Sequence, residues 1–96
     1  MQYQEFIDSL DQEQCPGGLE PCLRALWHDA KGEWAIAHEI VQQVESVMAA
    51  RIHAYLHRED GEDWNARYWY RRAGSAFPKQ MSLKEEWHSL LREITG

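Results

Sequence analysis

The sequence predicts an all-α fold of five or six short helices. Three observations carry this. Apolar residues recur at three- and four-residue spacing along most of the chain, the signature of helices with one buried face. Gly, Pro and helix-capping residues interrupt that pattern at intervals suited to short helices. No segment alternates apolar and polar residues for long enough to form a strand. The 96 residues suit one domain, 1–96, and their 44% apolar content with only three Pro separates the chain from disordered or linker sequences.

The elements follow in order. Tyr3, Phe6, Ile7 and Leu10 lie on one face of an N-terminal helix within residues 1–12. Cys15-Pro16-Gly17-Gly18 breaks the chain after it. Pro21 suits the first turn of a second helix, where its missing N–H costs nothing. Cys22, Leu23, Leu26, Trp27 and Ala30 continue that helix, and Gly32 can end it in a left-handed conformation. A third stripe runs through Ala37, Ile40, Val41 and Val44, and a fourth through Met48, Ile52, Tyr55 and Leu56. Neither Gly nor Pro separates them, so local signals alone permit one long helix from Glu33 to Arg58; a turn near Glu45-Ser46-Val47 is preferred for the symmetry described below. Gly61 ends the fourth helix. Asp63 is expected to cap a fifth, which carries Trp64, Ala66, Trp69, Tyr70 and Ala73. After Gly74 and Pro78, Ser82 and Glu85 form a capping box for the last helix, with Leu83, Trp87, Leu90, Leu91 and Ile94 at helical spacing over 82–95.

A shift of 29 residues aligns Ala25 with Ala54, His28 with His57, Gly32 with Gly61, Glu33 with Glu62, and Ala37 with Ala66. Each copy reads as a helix, a Gly-Glu turn and a second helix with a small residue on its inner face. Residues 20–74 are therefore expected to form two antiparallel helical hairpins, with a capping helix at each end.

These residues carry a resemblance. Gly32-Glu33-Trp34 with Ala37, and Gly61-Glu62-Asp63 with Ala66, Tyr70, Ala73 and Pro78, resemble the turn and second helix of tetratricopeptide repeats. The segment Asn65-Ala66-Arg67-Tyr68-Trp69-Tyr70-Arg71-Arg72-Ala73 is similar to the related Sel1-like repeat. The likeness spans about residues 20–78, and its spacing is shorter than the tetratricopeptide period of about 34. The stretch from His53 to Gly74 is also similar to small bacterial proteins. The repeat resemblance implies a stacked-hairpin fold with a groove for a peptide, a partner helix or a second copy of the chain.

Composition excludes several function classes. The net charge of −6 opposes nucleic acid binding. No apolar run is long enough to cross a membrane, and Met1 to Leu10 lacks the basic start and apolar core of a secretory leader. A cytoplasmic location with reduced Cys15 and Cys22 is the expectation. There is no phosphate-binding Gly loop, dinucleotide fingerprint or nucleophile elbow, so no catalytic residues and no cofactor are expected.

Two constellations remain. Residues 51–79 hold six basic residues against four acidic ones, while residues 1–50 are strongly acidic. Within the basic stretch Tyr68, Trp69 and Tyr70 are consecutive, so they spread over about 200° of a helix and one face cannot bury all three. The expected partner surface comprises Tyr68 and Trp69 as aromatic anchors, Arg71 and Arg72 as anion-pairing groups, and His57 and Arg58 nearby. Its competing reading is a solvated face with local ion pairs. A protein or peptide partner follows from it, with self-association as a further possibility. The second constellation is histidine. His53 and His57 are four apart on one side of a helix and can chelate a transition metal, with His28 as a third candidate and His38-Glu39 on the neighbouring helix. The metalloprotease signature is absent, because Ala54 follows His53. The competing reading is that these rings pack at the edge of a core.

Overall fold

The computed structural model describes all 96 residues and contains six helices and no strand. They are α1 (Tyr3–Ser9), α2 (Pro21–Ala30), α3 (Trp34–Gln42), α4 (Val47–Glu59), α5 (Asp63–Ala73) and α6 (Leu83–Thr95). No helix is long and apolar enough to cross a membrane.

Helices α2 and α3 form one antiparallel hairpin, and α4 and α5 form another. Their turns have the same internal geometry. Gly32 and Gly61 have φ of +80° and +78°, values that suit a residue without a Cβ. The N–H of Glu33 donates to the carbonyl of His28, and that of Glu62 to the carbonyl of His57, both at 2.9 Å. Gly32 and Gly61 donate in turn to Asp29 and Arg58. Each pair of bonds satisfies carbonyls that the helix end would otherwise leave free, and each reverses the chain within three residues. Ala37 and Ala66 then sit at equivalent, fully buried positions, where a small side chain allows close approach of the paired helix.

The chain does break between the hairpins. Helix α3 ends at Gln42, and Ser46, in extended conformation, starts α4 by accepting a 3.0 Å bond from the N–H of Ala49. A serine cap thus does what no Gly or Pro was present to do. One local expectation is corrected. Glu62, not Asp63, occupies the N-cap of α5, and Asp63 lies in its first turn without a capping bond. The 6→1 bond of the turn already fixes Glu62 as the last residue outside the helix.

The core lies between α2, α4 and α6, with Leu26, Trp27, Ile52, Leu56, Leu90 and Leu91 buried there. Helix α6 packs on both α2 and α4, and the Trp87 indole donates to the Leu26 carbonyl at 3.1 Å. The two terminal helices cover the core together. Phe6 meets Trp87 with ring centres 6.1 Å apart, and the Tyr3 hydroxyl lies 2.6 Å from Nδ1 of His88. The Trp27 indole ties α2 to α1 through Ser9 Oγ. On the other side, Tyr70 of α5 donates to Glu86 of α6 at 2.6 Å, and Glu86 also receives Arg58 at 2.8 Å. Burial and this carboxylate raise the Tyr70 phenol above its ordinary range.

Candidate functional site

The α5 helix separates its three consecutive aromatics by burial. Tyr70 points into the fold, Trp69 is half-buried, and Tyr68 is 43% exposed. Trp64, four residues before Tyr68 and on the same face, is 74% exposed. Arg67, Arg71 and Arg72 are exposed on this helix and have no carboxylate partner, whereas Arg51 pairs with Glu93 and Arg58 with Glu86. The Arg72 guanidinium lies 5.1 Å from the centre of the Trp69 ring and donates to the Tyr68 hydroxyl at 3.2 Å. Arg67 covers Phe77 at 4.3 Å.

Trp69 and Arg72 also line a cleft of about 400 Å³. Its other walls include Val41 and Val44 near the end of α3, Val47 and Ala50 at the start of α4, and the edge of His53. Glu45 is the one acidic residue of the lining. The cleft lies where the α3–α4 break faces α5.

Of the residues expected at a partner surface, Tyr68, Trp69 and Arg72 lie together on α5, while Arg71 lines a separate hollow with Arg67 and Phe77. His57 and Arg58 point elsewhere. His57 is 7% exposed, and its Nδ1 lies 3.0 Å from Glu62 Oε1. Arg58 is held by Glu86 and by the carbonyl of Met81. Both belong to the inner face of α4, which the hairpin buries against its neighbours.

Beneath the cleft lies a cluster of three histidines. His53 and His57 project from successive turns of α4, with ring centres 5.0 Å apart. His38 of α3 meets both edge-on, at 4.6 Å and 5.1 Å. One ring nitrogen from each falls within 4.8 Å of the others. Two indoles enclose the group. Trp69 stacks on His53 at 3.8 Å, and Trp34 stacks on His38 at 4.8 Å. The Trp34 indole is fixed by a 2.7 Å bond to the carbonyl of Leu56.

The surroundings favour uncharged rings at His53 and His38. Burial, with the neighbouring His38 and His57, pushes His53 down to about 4. Burial and His57 lower His38 as well, against a weaker opposing pull from Glu39 and Glu62. Because an ionised carboxylate only accepts hydrogen bonds, Glu62 selects the His57 tautomer with the proton on Nδ1 and the lone pair on Nε2.

His28, which a shift of 29 residues aligns with His57, is not part of the cluster. It pairs with Glu33 at 2.9 Å and packs edge-on against Trp27. The first hairpin has no earlier hairpin to bring a second helix against it, so the His-Glu pair recurs but the cluster does not. His38, noted in sequence only as a residue of the neighbouring helix, supplies the third ring. The i, i+4 spacing of Trp34 and His38 was the available signal. Cys15 and Cys22 are free thiols, and burial pushes Cys22 up to about 11. Comparison with protein-family models, with curated proteins and with solved structures finds no match to this chain.

Proposed function

We propose that this protein is an interaction module that binds an acidic segment of a partner protein. An apolar side chain of the segment enters the cleft beside Trp69, and its carboxylates meet the arginines of α5. The observation that carries this reading is Arg72. It is a guanidinium without a carboxylate partner at a cleft of mixed polar and apolar lining, on a helix that carries two further such arginines and two exposed aromatics. Trp, Tyr and Arg are the side chains that most often anchor protein interfaces. Charge adds direction, since Glu45 lies on the α3–α4 connection and the acidic part of the segment therefore runs along α5. Twin stacked hairpins are also what a tetratricopeptide- or Sel1-like relationship would supply, and grooves beside such hairpins are where repeat proteins take peptides.

Selection from a displayed random-peptide library tests the reading. Enriched peptides should carry Asp or Glu around one large apolar residue. Their affinity should fall with added salt, and by about ten-fold or more in Trp69→Ala and Arg72→Ala. Peptides without acidic residues, or affinities unchanged in both variants, would overturn it. Concentration-dependent dimers in light scattering, lost in the same two variants, would replace the peptide by a second copy of the chain.

A further inference from the structure

We propose that His38, His53 and His57 form a binding site for a single divalent transition ion of the zinc class, directly beneath the cleft that His53 helps to line. Three features converge on it.

The first is geometry. Three imidazoles from two helices converge with their nitrogens within 4.8 Å of one another. A tetrahedral ion with metal–nitrogen bonds of about 2.0–2.1 Å needs its ligands about 3.3 Å apart. Small rotations of rings already in contact close that gap. The arrangement follows from the fold. His53 and His57 share one face of α4, and α3 crosses that face with His38 directed at both.

The second is the hydrogen-bond inventory. Of the five histidines, His28, His57 and His88 make side-chain hydrogen bonds. His38 and His53 make none, although His53 is only 4% exposed. No fully buried side-chain nitrogen is left without a partner, so the unbonded ring nitrogens of His38 and His53 reach solvent and stand open to an ion. A shared cation satisfies all three lone pairs at once.

The third is the surroundings. The Glu62 carboxylate holds the Nδ1 proton of His57 and leaves Nε2 for the ion, the arrangement by which carboxylates orient metal-bound histidines. Trp34 stacks on His38 and Trp69 on His53. An all-imidazole donor set suits zinc, copper, nickel and cobalt in preference to calcium or magnesium, which demand oxygen. With three protein ligands, a tetrahedral ion keeps its fourth position for water or another small ligand.

A plain cluster of packed rings is the competing account, and metal titration separates the two. Full-length protein stripped by chelator is titrated with Co²⁺, whose visible absorption reports tetrahedral nitrogen ligation, and then with Zn²⁺ in competition. The expected result is about one equivalent of Co²⁺ with strong visible bands, displaced by Zn²⁺. His38→Gln and His53→Gln should abolish the bands, while His28→Gln should leave them unchanged. Circular dichroism identifies any variant that fails to fold. If His53→Gln does so, Glu62→Gln serves in its place, with an affinity loss of about 10- to 100-fold. Absence of saturable Co²⁺ and Zn²⁺ binding by the folded wild-type chain would overturn the proposal. So would binding that survives His38→Gln at full strength.

Discussion

Glu62 holds His57 twice. Its backbone N–H donates to the His57 carbonyl at 2.9 Å, and its carboxylate accepts from the ring of the same residue at 3.0 Å. The backbone bond closes the turn of the second hairpin; the side-chain bond sets the orientation of a buried imidazole. Glu33 does the same to His28 in the first hairpin, where the imidazole is more exposed. One residue type thus builds both the turn and, in one copy only, the edge of the histidine cluster.

The side-chain half of this relationship can be removed alone. Glu62→Ala is expected to lower stability by about 1 kcal/mol, the usual net worth of an intramolecular hydrogen bond. Glu33→Ala should cost less, because water can replace the lost partner of a more exposed His28. Urea unfolding of the two variants measures the difference. Gly61→Ala attacks the backbone half instead. A φ of +78° costs an L-residue about 1–2 kcal/mol, although no neighbouring atom would meet the new Cβ.

The link between α4, α5 and α6 runs through Glu86, which is 5% exposed and bonded to both Arg58 and Tyr70. Arg58→Ala strands a buried carboxylate without its cation, a change that costs about 3–5 kcal/mol. Tyr70→Phe removes one neutral donor and leaves the ion pair, so its cost should be smaller, about 1–3 kcal/mol. The order of the two in chemical denaturation is the check; a larger loss in Tyr70→Phe would contradict this account of the network.

Asp29 and Glu59 contribute stability that falls as pH rises, opposed below about pH 6.5 by His53 and His38, whose lowered values act in the other direction. Asp29 is buried on α2, and its carboxyl is raised by desolvation. Glu59 reaches the surface of α4, but desolvation and the adjacent Asp29 push its carboxyl up to about 8. In the unfolded chain Glu59 loses its proton near 4.5. Between these values the folded state holds the extra proton, so unfolding becomes easier with each step up in pH. The contribution is complete below about 4.5 and is lost as pH passes about 8. Denaturation midpoints should decline in the wild type between about pH 6.5 and 8, above the range in which His53 and His38 oppose the trend. Glu59→Gln, which cannot ionise, should give a flatter profile.

Large apolar residues should divide sharply by position. Leu56→Ala opens a cavity in a fully buried site and should cost about 2–5 kcal/mol. Trp64→Ser, at 74% exposure, should change stability by about 0.5 kcal/mol or less. A large loss in Trp64→Ser would mean that the exposed face of α5 is packed against something in solution, which a size measurement would reveal.

Much of the candidate site was not legible in the residues alone. The spacing of His53 and His57 announced two rings on one face, and the repeat suggested His28 beside them. The third ring instead comes from His38, because the packing of α3 on α4 decides which side chains meet across helices. The same holds for the surface of α5. Consecutive Tyr68, Trp69 and Tyr70 had to diverge, but only the position of α4 and α6 decided that Tyr70 goes inward and Tyr68 outward.

The chain's own order of residues determined the all-helical class, the Ser82–Glu85 capping box and the left-handed glycine turns at Gly32 and Gly61. Those features depend on interactions between residues a few positions apart, which sequence spacing records directly. Tertiary structure decided how α6 lies across α2 and α4, why α1 joins it, and which of the five histidines meet. These outcomes depend on how whole helices cross, and crossing is fixed by the summed packing of many side chains rather than by any local motif.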